Sequence, residues 1–169
     1  MNYKYCPKCA GELELKQIDH ASHPTCRSCG FVFFQNSKPC SSPLITNDSD
    51  QVLLIKRNIK PHLGKWDIPG GFLENGEDPI EGLKREAMEE LGVEIEPGEL
   101  ILVCIDNYPT NDGDFFTLNL FYKAKALSQN IILDGENSQW EWFSEQEIPW
   151  GDLAFSNTEL SLKKLYGME

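Results

Sequence analysis

Three glutamates within five residues are the part of this sequence best suited to chemistry. In the stretch REAMEELGV, which starts at Arg85, they are Glu86, Glu89 and Glu90. On a helix, positions i, i+3 and i+4 share one face, where like charges repel each other by about 0.2–0.5 kcal/mol per exposed pair. Such a face is either an ordinary solvated acidic surface or a site for a hard cation such as Mg²⁺ or Mn²⁺, which prefers oxygen ligands.

The residues around the glutamates predict a well-defined helix that would hold them in place. Asp78 can cap its N-terminus, Pro79 suits its first position, and Glu81 completes the spacing of a capping box. Gly92 can take the left-handed conformation that ends a helix after Leu91. We expect one apolar stripe, formed by Ile80, Leu83, Ala87 and Leu91. The three carboxylates lie away from much of this stripe, where a metal can reach them.

The segment before the helix supplies a glycine turn and an ion pair. Gly70 and Gly71 allow the backbone to approach a metal and its ligand closely. Glu77 and Arg85 are most simply a buried or semi-buried ion pair that fixes this loop against the helix. Metal ions held by the glutamates can bridge the oxygens of a diphosphate, polarise its phosphorus and activate a water molecule for attack.

Read as spacing, the stretch is Gly71, five residues, Glu77, seven residues and then REAMEELGV. This pattern resembles the Nudix box, and every fixed position of the box is filled. The resemblance implies a Nudix hydrolase whose last three box glutamates bind Mg²⁺ or Mn²⁺. The candidate site residues within the box are therefore Gly71, Glu77, Arg85, Glu86, Glu89 and Glu90.

The general base of such an enzyme lies either among the box glutamates or on a later loop, as the resemblance implies. Glu136, in the sequence DGE shortly before the strand-like stretch WEWF, is our candidate for the later carboxylate. The alternative is that Glu136 is an ordinary loop glutamate, and the sequence leaves both interpretations open.

Four of the six cysteines form two CxxC pairs, Cys6 with Cys9 and Cys26 with Cys29, separated by 16 residues. This spacing is typical of a four-cysteine zinc site, in which each pair forms a tight knuckle that aims two thiolates at one tetrahedral metal. Because the protein would fill all four positions, the Zn²⁺ would be structural rather than catalytic. Two disulfides or free core thiols are the alternative, but the N-terminus MNYKYCPKC lacks the apolar stretch of a secretory signal.

Two units are predicted, a zinc ribbon at residues 1–36 and a Nudix hydrolase domain at residues 37–169. Gly11 and Gly30 follow the cysteine knuckles closely, as such turns often require. A last helix is expected from Ser156, as its cap, and strands are expected at 40–46, 52–56, 100–105, 115–124 and 139–143. This order predicts an α/β (α+β) fold, and the resemblance implies an α/β/α sandwich with a mixed sheet.

The net charge of −12 is unevenly distributed. Residues 1–38 contain five Lys/Arg and three Asp/Glu, hence +2, and residues 39–169 contain ten and 24, hence −14. So acidic a body disfavours nucleic acids, including the substrates of an RNA-processing pyrophosphatase, and anionic membranes. No apolar run approaches the roughly 18 residues that cross a bilayer. We therefore expect a cytoplasmic protein, and the resemblance adds a possible homodimer.

The order of ribbon and Nudix box resembles the NADH pyrophosphatase group and its relatives. NADH-specific members carry a Ser-Gln-Pro-Trp type of stretch after the box, which residues 94–116 lack. The shorter relatives resembling FAD and ADP-ribose pyrophosphatases are more similar, and they imply that the substrate is an ADP-linked compound, such as FAD or ADP-ribose, split to release AMP. An NADH pyrophosphatase and a non-catalytic ADP-ribose sensor are the alternatives, and the complete box favours an enzyme.

Substrate-binding residues outside the box are predicted only as candidates. An adenine could stack on an aromatic ring near the site loops, the candidates being Trp66, Tyr108, Phe115 and Phe116. Lys56 or Arg57, at the end of a predicted strand, could contact phosphate. For each aromatic candidate the interpretation that we favour is a core residue, and each cation could equally face solvent. Cys40 and Cys104 lie in apolar, strand-like contexts and are interpreted as small core residues.

Overall fold

The computed structural model describes residues 3–111, 113–128 and 130–168. Within these ranges the elements are β1 (Leu13–Ile18), β2 (Ala21–Cys26), β3 (Lys38–Ile45), β4 (Val52–Arg57), β5 (Trp66–Asp67), β6 (Gly71–Phe72), α1 (Pro79–Leu91), β7 (Ile95–Tyr108), β8 (Phe115–Ala126), β9 (Asn137–Phe143) and α2 (Ser156–Leu165). In the described part of the chain, no helix is long and apolar enough to span a membrane.

The strands form one hairpin and two larger sheets. β1 and β2 pair antiparallel at the N-terminus, with Leu13 opposite Cys26. The body contains a four-stranded sheet in the order β6-β3-β8-β7 and a three-stranded sheet in the order β5-β4-β9. β3 runs parallel to β8, whereas the other strand pairs of the body are antiparallel. The mixed sheet is therefore confirmed.

β4 lies in the centre of the core and is buried on both faces. Val52 and Leu54 pack in one apolar cluster together with Leu162 of α2. Leu53 and Ile55 point the other way, into a cluster that includes the apolar stripe of α1. Burying a leucine or isoleucine side chain contributes roughly 1.5–3 kcal/mol, so this strand holds the two helices on opposite sides. The α/β/α sandwich is confirmed.

Both ends of α1 are formed as predicted. The side chain of Asp78 accepts a hydrogen bond from the backbone N–H of Ile80 at 2.8 Å. Gly92 has a φ of 65°, and its N–H donates to the carbonyl of Met88. Glu81, by contrast, forms an ion pair with Lys84 at 2.9 Å, one turn along the exposed face. Its carboxylate therefore serves an i,i+3 ion pair rather than the reciprocal bond of a capping box.

The prediction that Ser156 caps α2 was wrong. Phe155 is the N-cap residue, and Ser156 is already helical. The carboxylate of Asp106 on β7 accepts hydrogen bonds from the Ser156 hydroxyl at 2.8 Å and from the Asn157 N–H at 2.9 Å. An acceptor from a distant strand thus replaces the local cap, which ties α2 to the four-stranded sheet.

Candidate active site

A cavity of about 330 Å³ lies where the box meets the sheets. Its wall is built from β3, β4, β5, β6, β7, β8, α1 and the start of α2. Of the candidate site residues within the box, four contribute to the wall: Gly71, Arg85, Glu86 and Glu90. Glu136 lines the same cavity, although it lies 46 positions after Glu90 in the chain.

Glu90 is the most deeply buried of the three box glutamates. One carboxylate oxygen accepts a 2.7 Å hydrogen bond from the backbone N–H of Gly70, and the other accepts a 3.4 Å bond from the side chain of Asn137. Burial raises the pKa of Glu90 to about 8. A cation bound beside this carboxylate would offset the cost of burying its charge.

The hydrogen bond from the backbone of residue 70 to Glu90 requires a glycine at this position. Its φ is +136°, and a Cβ would lie 2.5 Å from the carbonyl oxygen of Ser41 and against the hydroxyl of Ser42. Side chains rarely adopt such a backbone conformation, and the space for one is absent. Glycine at position 70 therefore permits a close backbone approach to Ser41, Ser42 and Glu90, whereas the approach to a metal and its ligand stays a prediction.

Arg85 connects the loop before α1 to the acidic face. Its guanidinium donates to Glu77 at 2.8 and 2.9 Å, to Glu86 at 2.7 Å and to Glu89 at 2.9 Å. It also donates to the carbonyl of Phe72 at 3.1 Å. The paired guanidinium lowers the pKa of Glu77 to about 2. The predicted ion pair is present, and it extends to two of the glutamates.

The three box glutamates are not equivalent. Glu86 and Glu90 line the cavity, and burial raises the pKa of both. The Glu89 side chain is 57% exposed and is not part of the wall. Among the described residues, no three acidic side chains have ligand oxygens within 4.8 Å of one another. Glu86 and Glu90 nevertheless offer carboxylate oxygens on the wall of one cavity, and such oxygens are the ligands that a hard divalent cation prefers.

The aromatic candidates separate into site and non-site residues. Trp66 is 7% exposed in the core, and Phe116 is 61% exposed outside the cavity. Tyr108 lines the cavity, with its ring stacked on Phe115 at 5.2 Å and on Phe155 at 5.6 Å. Phe155 also lines the cavity and was missed from the sequence. Its place near the site depends on the docking of α2, which no local pattern reveals.

Of the two cationic candidates, Arg57 belongs to the cavity. Its guanidinium donates to Asp67 at 3.2 Å and to the carbonyl of Pro61 at 2.9 Å. The ammonium group of Lys56 instead lies 5.3 Å from the ring centre of Trp66. Burial raises the pKa of Asp67, against the opposing effect of the Arg57 charge.

A set of buried polar side chains on the cavity wall was also missed from the sequence. These residues are Asp67, Thr117, Asn119 and Thr158. Thr117 and Asn119 alternate along β8 with apolar residues, in the sequence TLNL. This alternation was the available signal, since polar residues on the inward face of a central strand need a reason to be there. Cys40 is buried as predicted, but it too lines the cavity.

The four cysteines of the CxxC pairs come together at the N-terminus. The sulfur atoms of Cys9 and Cys26 are 3.5 Å apart, those of Cys6 and Cys29 are 3.8 Å apart, and all four lie within 4.8 Å of one another. A regular tetrahedron with Zn–S bonds of about 2.3 Å has edges of about 3.8 Å, whereas a disulfide bond measures about 2.05 Å. The cluster therefore fits Zn²⁺ and is not a pair of disulfides.

The two knuckles use different residues for the same turn. Gly30 follows Cys29 with a φ of 71°, and Ala10 follows Cys9 with a φ of 58°. The prediction that Gly11 serves the first turn was therefore wrong. A Cβ on Gly11 would meet the hydroxyl of Ser28 at 2.6 Å, so that glycine instead allows the two knuckles to pack closely.

The sequence pattern of the NUDIX domain matches residues 38–162. The chain therefore belongs to the Nudix family. A solved structure of a NUDIX hydrolase from Nitrosomonas europaea is similar over 98% of this chain and 94% of its own, with 32% identity and a TM-score of 0.81.

Two curated relatives illustrate the range of activities within this family. The NAD-capped RNA hydrolase ndx-9 of Caenorhabditis elegans is 32% identical over 86% of this chain and 38% of its own length. The 8-oxo-dGDP phosphatase NUDT18 of Homo sapiens is 40% identical over 61% of this chain and 31% of its own length. The chain thus spans well under half of the length of these relatives.

Proposed function

We propose that this protein hydrolyses the diphosphate linkage of a nucleoside diphosphate joined to another group, with the help of Mg²⁺ or Mn²⁺. The substrate class that we favour is ADP-linked compounds such as FAD or ADP-ribose, from which AMP is released. The observation that carries the proposal is one cavity in which Glu86, Glu90 and Glu136 share a wall with aromatic and buried polar side chains. The carboxylates would bind the metal, and the aromatic and polar side chains of the wall would bind the nucleoside.

Glu86, Glu89 and Glu90 would hold the metal. When bound, a divalent cation neutralises phosphate charge, polarises phosphorus and lowers the pKa of a water molecule. The Gly70 N–H fixes one oxygen of Glu90, and Gly71 lies so close to the Glu86 carboxylate that a Cβ there would lie 2.5 Å from it. These contacts orient both carboxylates before any ligand binds.

Arg85 and Glu77 position the acidic residues, while Glu136 is the candidate general base. Arg85 contacts Glu77, Glu86 and Glu89 at once, which fixes the loop and the helix relative to each other. Glu136 is exposed at the cavity and can take a proton from an attacking water molecule and release it to solvent. An ordinary loop glutamate remains the alternative for this residue.

The names of the relatives support a nucleotide substrate. They are compatible with two nucleobases, adenine and an oxidised guanine. The NAD named for ndx-9 contains an adenosine diphosphate unit, which agrees with an ADP-linked substrate. The activity named for NUDT18 concerns an oxidised guanine nucleotide, so an oxidised purine nucleoside diphosphate is our second candidate substrate. A non-catalytic ADP-ribose sensor and an NADH pyrophosphatase are the further alternatives.

A panel of substrates tests the proposal. The protein is incubated with FAD, ADP-ribose, NADH and 8-oxo-dGDP, each with Mg²⁺ and in parallel with a chelator, and the products are resolved by chromatography. Metal-dependent release of AMP from FAD or ADP-ribose supports the proposal. Thermal stabilisation by ADP-ribose without any product would instead support the sensor, and turnover of 8-oxo-dGDP alone would support the second candidate.

We further propose a structural Zn²⁺ bound by Cys6, Cys9, Cys26 and Cys29, in a ribbon that spans residues 1–36 and precedes the Nudix domain at 37–169. The sulfur distances of 3.5 and 3.8 Å support this assignment. A cytoplasmic location, a homodimer and the lack of nucleic-acid binding stay predictions. The charge of −14 on residues 39–169 supports the last of them, although ndx-9 is named for capped RNA.

A further inference from the structure

Asn119 is a polar side chain in the centre of the four-stranded sheet. It lies on β8, opposite Cys40 of β3 on one side and Cys104 of β7 on the other. The residue is 5% exposed and lines the cavity. A buried amide at such a position loses its contact with water and needs hydrogen-bond partners, unless a ligand supplies them.

The hydrogen-bond network fixes which end of the amide faces which way. The Asn119 NH₂ group lies 2.9 Å from the hydroxyl of Thr117 and 3.5 Å from the carbonyl of Cys104. The Thr117 hydroxyl donates its hydrogen to the carbonyl of Asp106 at 3.3 Å, so towards Asn119 it can only accept. Both neighbours are acceptors, and the amide must therefore turn its NH₂ group towards them.

The amide oxygen of Asn119 consequently points away from this network. Among the described residues, no donor forms a hydrogen bond to this oxygen. The wall of the same cavity also carries the aromatic rings of Tyr108, Phe121 and Phe155. Within the ranges that the structure describes, no fully buried side-chain oxygen lacks a hydrogen-bond partner, so this uncommitted oxygen is accessible from the cavity. An accessible acceptor in a wall that also carries aromatic rings is suited to a flat heterocycle with an N–H group on its edge.

We propose that the amide oxygen of Asn119 accepts a hydrogen bond from the exocyclic amino group of the adenine in an ADP-linked substrate, and thereby disfavours bases that present no N–H group to it. This inference rests on the proposed function and adds a specificity-determining residue to it. The amino group is the one hydrogen-bond donor on the edge of adenine. A heterocycle without a donor would cover this acceptor without pairing it, which costs binding free energy.

Thr117 acts as a positioning residue for this contact. Its hydroxyl donates to the carbonyl of Asp106 and therefore accepts from the Asn119 NH₂ group. This contact fixes the orientation of the amide, with the oxygen left free for a ligand. Removing the hydroxyl would leave only the 3.5 Å contact with the Cys104 carbonyl to orient the amide, so that the amide can more easily turn over and present its NH₂ group to the base. Selectivity for a donor on the base would then fall without any loss of the Asn119 side chain.

The test compares two nucleotides that differ in the amino group alone. The affinities of AMP and of purine riboside 5′-monophosphate are measured by calorimetry for the wild-type protein, Asn119→Leu and Thr117→Val. We expect the wild type to bind AMP about 5- to 10-fold more tightly, the magnitude of one hydrogen bond. This ratio should fall to about one in Asn119→Leu and to an intermediate value in Thr117→Val.

Two outcomes would overturn the inference. They are a wild-type ratio near one and an unchanged ratio in a folded Asn119→Leu protein. If Asn119→Leu does not fold, an unchanged ratio in Thr117→Val has the same force. Hydrolysis of ADP-ribose is measured in parallel: hydrolysis with an unchanged ratio rejects the role of Asn119 alone, whereas the expected ratios without hydrolysis reject the proposed enzyme alone.

Discussion

Glu90 and Gly70, 20 positions apart in the chain, are joined by a 2.7 Å hydrogen bond from the backbone N–H of Gly70 to the Glu90 carboxylate. The contact connects the last turn of α1 to the glycine turn before β6. It leaves the second oxygen of Glu90 with a 3.4 Å contact from the side chain of Asn137. Within the box, Glu90 is therefore held by the backbone N–H of residue 70, and the backbone conformation at this residue requires glycine.

Gly70→Ala should therefore impair both folding and activity. The added Cβ would meet the carbonyl of Ser41 at 2.5 Å, and the φ of +136° would be strained. We expect a loss of about 1–3 kcal/mol in the free energy of unfolding, measured by urea denaturation, and a strong loss of turnover. Gly151→Ala is the control, because nothing lies within 4 Å of a Cβ there. Equal stability of the two variants would contradict this account.

Arg85→Lys should separate geometry from charge in the ion-pair network. A lysine keeps the positive charge but cannot donate to Glu77 with two nitrogens while also contacting Glu86 and Glu89. We expect a loss of about 1–3 kcal/mol in the free energy of unfolding and a lower kcat. Lys84→Ala, which removes a surface ion pair with Glu81, should change stability by less than about 1 kcal/mol. A wild-type kcat in Arg85→Lys would show that catalysis does not need the several donors of the guanidinium group.

The cysteine cluster should contain one zinc ion per chain. Elemental analysis of the purified protein measures this ratio, and Cys26→Ser should abolish it because serine replaces a thiolate ligand. Since the ribbon is small, we also expect Cys26→Ser to make residues near the N-terminus sensitive to proteolysis. Cys104→Ser, a substitution outside the cluster, should keep the zinc. Full zinc content in Cys26→Ser would argue against the four-cysteine site.

The burial of Glu90 should appear in the pH dependence of stability without metal. Its pKa is raised to about 8, so its stabilising contribution is fully present below the unfolded value of about 4.3 and is lost as the pH rises through about 8. Glu90→Gln removes this titration. In a chelator, its Tm should match or exceed that of the wild type at pH 8.5, with a smaller advantage at pH 5. A variant with a much lower Tm at pH 8.5 would show that the carboxylate stabilises the fold.

The sequence was sufficient for the box and its helix because their signals are local. Asp78 and Gly92 act as caps at the positions where a cap pattern places them. The sequence was insufficient where a hydrogen-bond partner comes from far along the chain. The carboxylate that accepts from Ser156 at the start of α2 belongs to Asp106, 50 positions earlier. For the buried polar residues Thr117 and Asn119 of β8, only the fold shows that they line the cavity.

Strand lengths show the same division between local and tertiary causes. β7 was predicted from Leu100 to Ile105 and extends from Ile95 to Tyr108. Pro97 and the exposed residues after it conceal the first part of the strand, where the register with β8 is irregular. An edge strand tolerates such residues because only one of its sides is paired. The two-residue strands β5 and β6 carry no periodic signal at all.

The most direct test of the account is the rate of AMP release from ADP-ribose by the wild type, Glu90→Gln and Glu81→Gln, with and without Mg²⁺. Glu81 is exposed on the same helix and outside the cavity, so its variant is a matched control. We predict metal-dependent release by the wild type and Glu81→Gln, and a loss of at least about 100-fold in Glu90→Gln. Wild-type rates in a folded Glu90→Gln protein, or release that is indifferent to Mg²⁺, would contradict the metal site.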